Sequence, residues 1–183
     1  MTTLSLEFIG SKFIYAESEV FMKDIASNKN YLYIVGEGID GTGYELWRTD
    51  GTDGGTTLVK DINPSGSSNP RRLTVMPDAT GKNYLYFQAN DGINGDELWR
   101  TDGTESGTTL VKDINTGSGD SGPYDFVVMP DATGKNYLYF SAAEVDYEYN
   151  LWRSDGTPEG TTFTAFSSLH QGATDPYWYI VMK

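Results

Sequence analysis

The stretch from Tyr84 to Ile114 reads YLYFQANDGINGDELWRTDGTESGTTLVKDI. Tyr84 to Ala89 is a predicted strand, because aromatic and β-branched side chains suit a pleated, half-buried surface. The turn-forming run Asn90 to Gly95 (NDGING) ends it. Glu97 to Thr101 is the next strand, Asp102 to Gly107 supply turn residues, and Thr108 to Ile114 form a third strand. After a loop rich in Gly and Ser, Asp125 to Met129 make a fourth. Pro130 stops that strand, since proline cannot donate to a sheet ladder, and Asp131 to Asn136 turn the chain into the next unit. No window keeps apolar residues at i, i+3, i+4 and i+7, so almost no helix is expected.

The same unit recurs on both sides. MPDATGKNYLYF occurs unchanged at Met76 to Phe87 and at Met129 to Phe140. Trp47, Trp99 and Trp152 stand 52 and 53 positions apart. A period that long makes each unit a small supersecondary structure that buries its apolar surface against a neighbour. Residues 1–183 therefore read as one repeat domain: a shortened unit at 1–30, then units at 31–83, 84–136 and 137–183. In the shortened unit, Phe21 to Ile25 matches Leu110 to Ile114, and Ala26 to Asn30 matches Ala79 to Asn83. Four short antiparallel strands per unit predict the blades of a β-propeller. Three blades and a shortened one suggest a ring closed within the chain; a homodimer completing a larger ring is the alternative, because an open arc leaves edges and faces exposed. Pro176 to Lys183 (PYWYIVMK) aligns with Pro123 to Pro130 and is expected to be the closing strand of the last unit. Its aromatic content suits seam packing or a subunit interface.

Composition narrows the partners. Thirteen basic and 26 acidic side chains give a formal charge of -13, which repels phosphate backbones and anionic lipid and argues against nucleic acid. No apolar run approaches the roughly 20 residues of a membrane-spanning helix, and the start MTTLSLEFIG lacks the pattern of a signal peptide. With 21 glycines and no cysteine, the chain reads as turn-rich and held by packing alone.

The segments Glu45 to Thr52 (ELWRTDGT), Glu97 to Thr104 (ELWRTDGT) and Asn150 to Thr157 (NLWRSDGT) each have Gly-Thr three residues further on. They resemble the bacterial ELWxxDGT repeat family over about residues 31–166. The resemblance implies propeller-type modules, often within large exported proteins, without a catalytic activity of the repeat itself; it suggests an extracellular or cell-surface setting. The third unit departs from the pattern: Asn150 replaces Glu, and Phe163 to Phe166 replace LVKD.

Three sets of residues are candidate sites. The pairs Trp47/Arg48, Trp99/Arg100 and Trp152/Arg153 suit sugar stacking on an indole with guanidinium bonds to hydroxyls, or else the tryptophans fill the space between blades. Asp50, Asp102 and Asp155 precede Gly-Thr and are expected to take structural turn bonds from amides two residues on, as in the Asp-box turns of other propellers. The loops holding Asp40, then Asp91, Asn94 and Asp96, then Glu144, Asp146 and Glu148, make calcium a candidate ligand, although no full EF-hand spacing is present; solvated polar loops are the alternative. His170 is the only histidine, and it sits in a polar run without a nucleophile motif nearby. The function expected is a non-enzymatic binding or assembly module for a protein or surface partner. A multivalent lectin using the Trp-Arg pairs is the alternative, and a glycan-degrading enzyme is third.

Overall fold

Each long run that mixes aromatic, β-branched and polar residues becomes a strand. The computed structural model describes residues 7–8, 11–12, 19–23, 30–38, 41–52, 54–145 and 148–164. Among these residues the chain is all-β, without a helix. A short hairpin, β1 (Glu7–Phe8) and β2 (Ser11–Lys12), comes first. The first sheet is β3 (Glu19–Lys23), β4 (Asn30–Glu37), β5 (Tyr44–Thr49) and β6 (Thr56–Lys60). The second is β7 (Arg71–Pro77), β8 (Asn83–Asn90), β9 (Asp96–Thr101) and β10 (Thr109–Lys112). The third is β11 (Tyr124–Pro130), β12 (Asn136–Ala143), β13 (Tyr149–Ser154) and β14 (Thr162–Phe163). All three are antiparallel, with strands in sequence order.

These sheets group the strands differently from the units expected above. The strand after the Gly/Ser-rich loop pairs forward: Val127 faces Tyr139 and Pro130 faces Asn136, while Thr74 faces Tyr86. The reason lies in the two connections. Asp131 to Lys135 is a tight hairpin, closed by the Asp131 amide donating to the Lys135 carbonyl at 2.8 Å and the Gly134 amide donating to the Asp131 carbonyl at 3.0 Å. A turn that short joins adjacent antiparallel strands, so the longer connections at 61–70 and 113–123 are the ones that cross from sheet to sheet. The N-terminal alignment shifts for the same reason. Met22 faces Tyr31 just as Met76 faces Tyr84 and Met129 faces Tyr137, so Glu19–Lys23 corresponds to the VMP strand of the later units and not to LVKDI.

Alternation gives each sheet two apolar faces. The forward face of the first and second sheets meets the next sheet in the chain, and the rear face of the second and third meets the preceding one. Tyr33, Val35, Leu46 and Val59 from the forward face of the first sheet share a core with Leu85, Phe87, Ala89 and Trp99 from the rear face of the second. Tyr86, Leu98 and Val111 then meet Leu138, Phe140, Ala142 and Trp152 in the same way. The residues 165–183, including His170 and the aromatic segment Pro176 to Lys183, lie outside the described residues. No helix among the described residues is long and apolar enough to cross a membrane.

Trp99 is 6 % exposed and sits in the middle of the first of these layers. Trp99→Ala leaves a cavity between two sheets and is expected to lower stability by about 3–5 kcal/mol, measured by urea denaturation.

Candidate functional site

The ELWRTDGT segment is strand β9 and the turn after it, and its side chains divide between two faces because successive residues of a strand point opposite ways. Trp47, Trp99 and Trp152 are 7, 6 and 4 % exposed. The arginine beside each tryptophan is on the forward face. Arg48, Arg100 and Arg153 stack on the rings of Tyr31, Tyr84 and Tyr137 at 4.6, 4.8 and 4.8 Å. Within each Trp-Arg pair the two side chains therefore take opposite faces of the sheet, and of the two readings the burial of the indoles agrees with the one in which they are packed, each guanidinium lying across the sheet from its neighbour.

The glutamate of the motif is the least expected part. Glu97 is fully buried, and its carboxylate accepts from the amides of Ile114 (2.9 Å), Asn115 (3.2 Å) and Ser121 (3.1 Å) and from the Ser121 hydroxyl (2.6 Å). Ser121 continues the path, its carbonyl accepting from the Ala143 amide of the third sheet at 2.9 Å. Glu45 repeats the arrangement, accepting from the Ile62 amide and from the amide and hydroxyl of Ser68. The Ser68 carbonyl takes the Asn90 amide of the second sheet at 2.9 Å. Each glutamate thus pins the crossing loop to its own sheet while the serine pins it to the next. Burial pushes the Glu97 carboxyl up to about 7, the Ser121 and backbone donors opposing it only in part. Burial raises Glu45 as well, against the Ser68 bonds, and the charge of Asp61 adds to the rise. Ser68 and Ser121 are invisible to a motif reading, since nothing marks one serine in a polar loop; their shared spacing from the motif, 23 residues after Glu45 and 24 after Glu97, is the signal available.

At the other end of the strand, Asp102 Oδ1 accepts the Thr104 amide at 3.0 Å and the Thr104 hydroxyl at 2.7 Å. Asp155 holds Thr157 with the same two bonds, and Asp50 takes the Thr52 amide at 3.1 Å. Lys82 reaches Asp102 at 2.7 Å and Lys135 reaches Asp155 at 2.6 Å. Burial alone would raise the Asp102 and Asp155 carboxyls; the lysine and threonine bonds overcome it and hold both below the usual range. The glycine that follows admits the preceding sheet. A β-carbon on Gly156 would collide with the Tyr86 hydroxyl and stand 3.0 Å from Arg100 Nη1, and Gly103 meets Tyr33 and Arg48 in the same way. Burial pushes Tyr86 up to about 12, with Arg100 pulling the other way. Between the two ends, Lys60 Nζ donates to the Thr108 carbonyl at 3.0 Å and Lys112 Nζ to the Thr161 carbonyl at 2.9 Å. Lys82 and Lys135 lie in the twelve-residue block that recurs unchanged, and identity at an otherwise solvent-facing lysine is the mark of a fixed contact.

The acidic loop of the second sheet is closed on itself. Asp91 accepts from the amides of Ile93 (2.9 Å) and Asn94 (2.7 Å) and from the Asn94 side chain (2.7 Å). Asp96 accepts from Gln88 and Asn90 side chains at 2.6 and 3.1 Å. Asp40 and Asp146 lie outside the described residues, and Glu144 and Glu148 are exposed. No group of three or more His, Asp or Glu side chains that could hold a metal ion occurs among the described residues.

No protein-family model matches the chain, and no curated protein does. Among solved structures, the crystal structure of an inferred exo-beta-1,3-galactanase from Bifidobacterium bifidum s17 is similar at a TM-score of 0.38 and 14% identity, over 77% of this chain and 47% of that one. The chain spans about half the length of that structure. A likeness so low carries no argument about fold or activity.

A folded-state carboxyl raised from 4.5 to about 7 binds its proton more tightly than the unfolded chain does, so its contribution to stability is full below about pH 4.5 and is lost as pH rises to about 7. Glu97→Gln is expected to remove that slope from the pH dependence of the melting temperature, and a carbon-detected titration of the Glu97 carboxyl reads the same shift directly. Gly156 and Gly134 have φ of +91° and +85°, but only Gly156 has close neighbours. Gly134→Ala is expected to cost about 1 kcal/mol for the backbone alone, and Gly156→Ala about 1–3 kcal/mol more for overpacking, compared by denaturant unfolding.

Proposed function

We propose that the chain is a non-enzymatic binding and assembly module whose sheets stack in propeller fashion about a shared axis. The observation that carries this reading is where the recurring residues go. Glu97, Leu98, Trp99, Arg100, Asp102 and Gly103 each hold one sheet to another or fix the turn that does so. A residue set that recurs from unit to unit, with Asn150 in place of the glutamate in the third, and is consumed in joints is scaffold, and scaffolds of this kind present function on their loops.

The loops that vary from unit to unit fit that role. They join the second and third strands of each sheet, at 38–43, 91–95 and 144–148, and carry exposed apolar tips at Ile93 and Val145 beside acidic residues. An apolar tip with acidic residues close by in sequence suits a protein surface better than a phosphate or an anionic membrane. The resemblance to ELWxxDGT repeats supports a role in bacterial surface or extracellular assembly. A lectin built on the Trp-Arg pairs would need an exposed indole face, and packing between sheets removes it.

Two assays test the reading. A polysaccharide panel should release no sugar; turnover that disappears on one acidic substitution, such as Glu144→Gln, overturns the non-enzymatic assignment. A glycan array probed with wild type and with Trp99→Phe, which keeps an aromatic ring in the buried layer, should show no binding that depends on Trp99; binding lost in that variant restores the lectin.

A further inference from the structure

Nearly every basic side chain of this acidic molecule is consumed in the scaffold. Arg48, Arg100 and Arg153 stack on tyrosines, Lys60 and Lys112 donate to backbone carbonyls, and Lys82 and Lys135 pair with aspartates. Arg71 and Arg72 are the basic side chains that remain among the described residues. Both are exposed, and neither forms an ion pair there. They open β7, directly after the crossing loop that enters the second sheet. In the third sheet Tyr124 and Asp125 hold the same two places, and Tyr149 holds that of Asp96. The repeat is broken here, a few residues before the block MPDATGKNYLYF that recurs without change.

The backbone at both places is bent in the same way. Arg72 and Asp125 have φ of +59° and +57°, and the register slips between Arg71 and Thr74 and between Tyr124 and Val127. A bulge of this kind re-aims the side chain it carries. Arg72 Nη1 donates to Gln88 Oε1 at 2.7 Å, and Gln88, 6 % exposed, donates onward to Asp96 Oδ2 at 2.6 Å. The guanidinium is thus fixed, with its carbon 5.8 Å from the centre of the Tyr124 ring. Tyr149 meets the same ring edge to face at 5.1 Å and is 44 % exposed. The Asp96 amide donates to Asp120 Oδ1 at 2.8 Å, which holds a further exposed carboxylate beside the Gly122 backbone over which the Tyr149 hydroxyl lies.

We infer that this cluster binds a uronate residue of an acidic saccharide: its carboxylate on Arg72, its C–H face on Tyr149, and its hydroxyls donating to Asp120 and Asp125. A guanidinium fixed through one nitrogen keeps donors for a carboxylate, and an exposed tyrosine offers an apolar ring with a polar edge. The two aspartates accept hydrogen bonds and donate none. A sugar with one carboxylate and several hydroxyls satisfies all of these groups, whereas an acidic peptide sets further carboxylates against Asp120 and Asp125. This rests on the binding-module reading and names a ligand class for it, at a place separate from the Trp-Arg pairs.

The test is calorimetric titration with glucuronate and galacturonate oligosaccharides, and with the same oligosaccharides after reduction of their carboxyls to alcohols. Wild type should bind one uronate series saturably and its reduced form at least about tenfold more weakly. Arg72→Gln should remove that preference for the carboxylate, Tyr149→Ala should weaken both forms, and Tyr149→Phe should keep both. Far-UV circular dichroism and melting check that the variants stay folded. Amide shifts of the wild type on titration should centre on residues 72, 120–125 and 149, a readout that needs no variant. Absence of uronate binding at millimolar concentration, binding unchanged in Arg72→Gln, shifts confined to other regions, or tighter binding of a polyglutamate peptide overturns the inference. Each of those outcomes leaves the binding-module reading standing, whereas hydrolysis of the saccharide removes that reading and the inference with it.

Discussion

A sheet that is apolar on both faces has no stable existence in water by itself. Tyr86 and Leu98 on one side of the second sheet, and Phe87 and Trp99 on the other, are all buried, and together they commit the sheet to two neighbours. Exposing either face would return several large side chains to solvent at about 1.5–3 kcal/mol each, a sum comparable with the whole stability of a domain this size. Stacking is thus a condition of folding for every unit, and the rest of the chain is organised around making it specific.

Apolar contact alone would let adjacent sheets slide and rotate. Polar pins at both ends of each joint restrict that freedom. At one end a buried glutamate and a serine hold the crossing loop between two sheets; at the other a tyrosine and an arginine occupy the space that a β-carbon on the glycine would need. Lysine bonds to backbone carbonyls lie between them. The division explains why ELWRTDGT is contiguous in sequence though its contacts are not: one strand and its turn touch the sheet behind through Trp, the sheet ahead through Leu and Arg, and the crossing loop through Glu. The exposed Lys82–Asp102 pair adds about 0–1 kcal/mol, so its role is to orient the turn.

How much of this was legible depended on whether a residue's partner was near in sequence. Strands such as Tyr84–Ala89 could be read from their own composition, and so could the bond from Thr104 to Asp102, because both are local. Sheet membership was not, since the pairing of Val127 with Tyr139 rather than with the preceding strand is decided by connection length and not by the strands themselves. Trp99 beside Arg100 suggested a pocket only while their faces were ignored; alternation along a strand separates them. The Glu97–Ser121 bond spans 24 residues and joins two types that are common in polar loops, so no local pattern announces it.

The third unit shows what happens when a joint is not completed in the same way. Asn150 stands in place of the buried glutamate and turns its amide to the Glu148 carbonyl at 3.1 Å, so the buried acceptor that holds Ser68 and Ser121 is missing there. Ser141 replaces the valine and glutamine of the earlier forward faces, and Thr164 replaces Val59 and Val111. Thr164 and Ser141 make the last forward face more polar than that of the first sheet, which has Val59 and Val35 there, while Tyr139 and Arg153 are of the residue types that meet a glycine turn in the two joints. A joint without its buried glutamate is held by fewer polar pins than the two that bind the described sheets to one another.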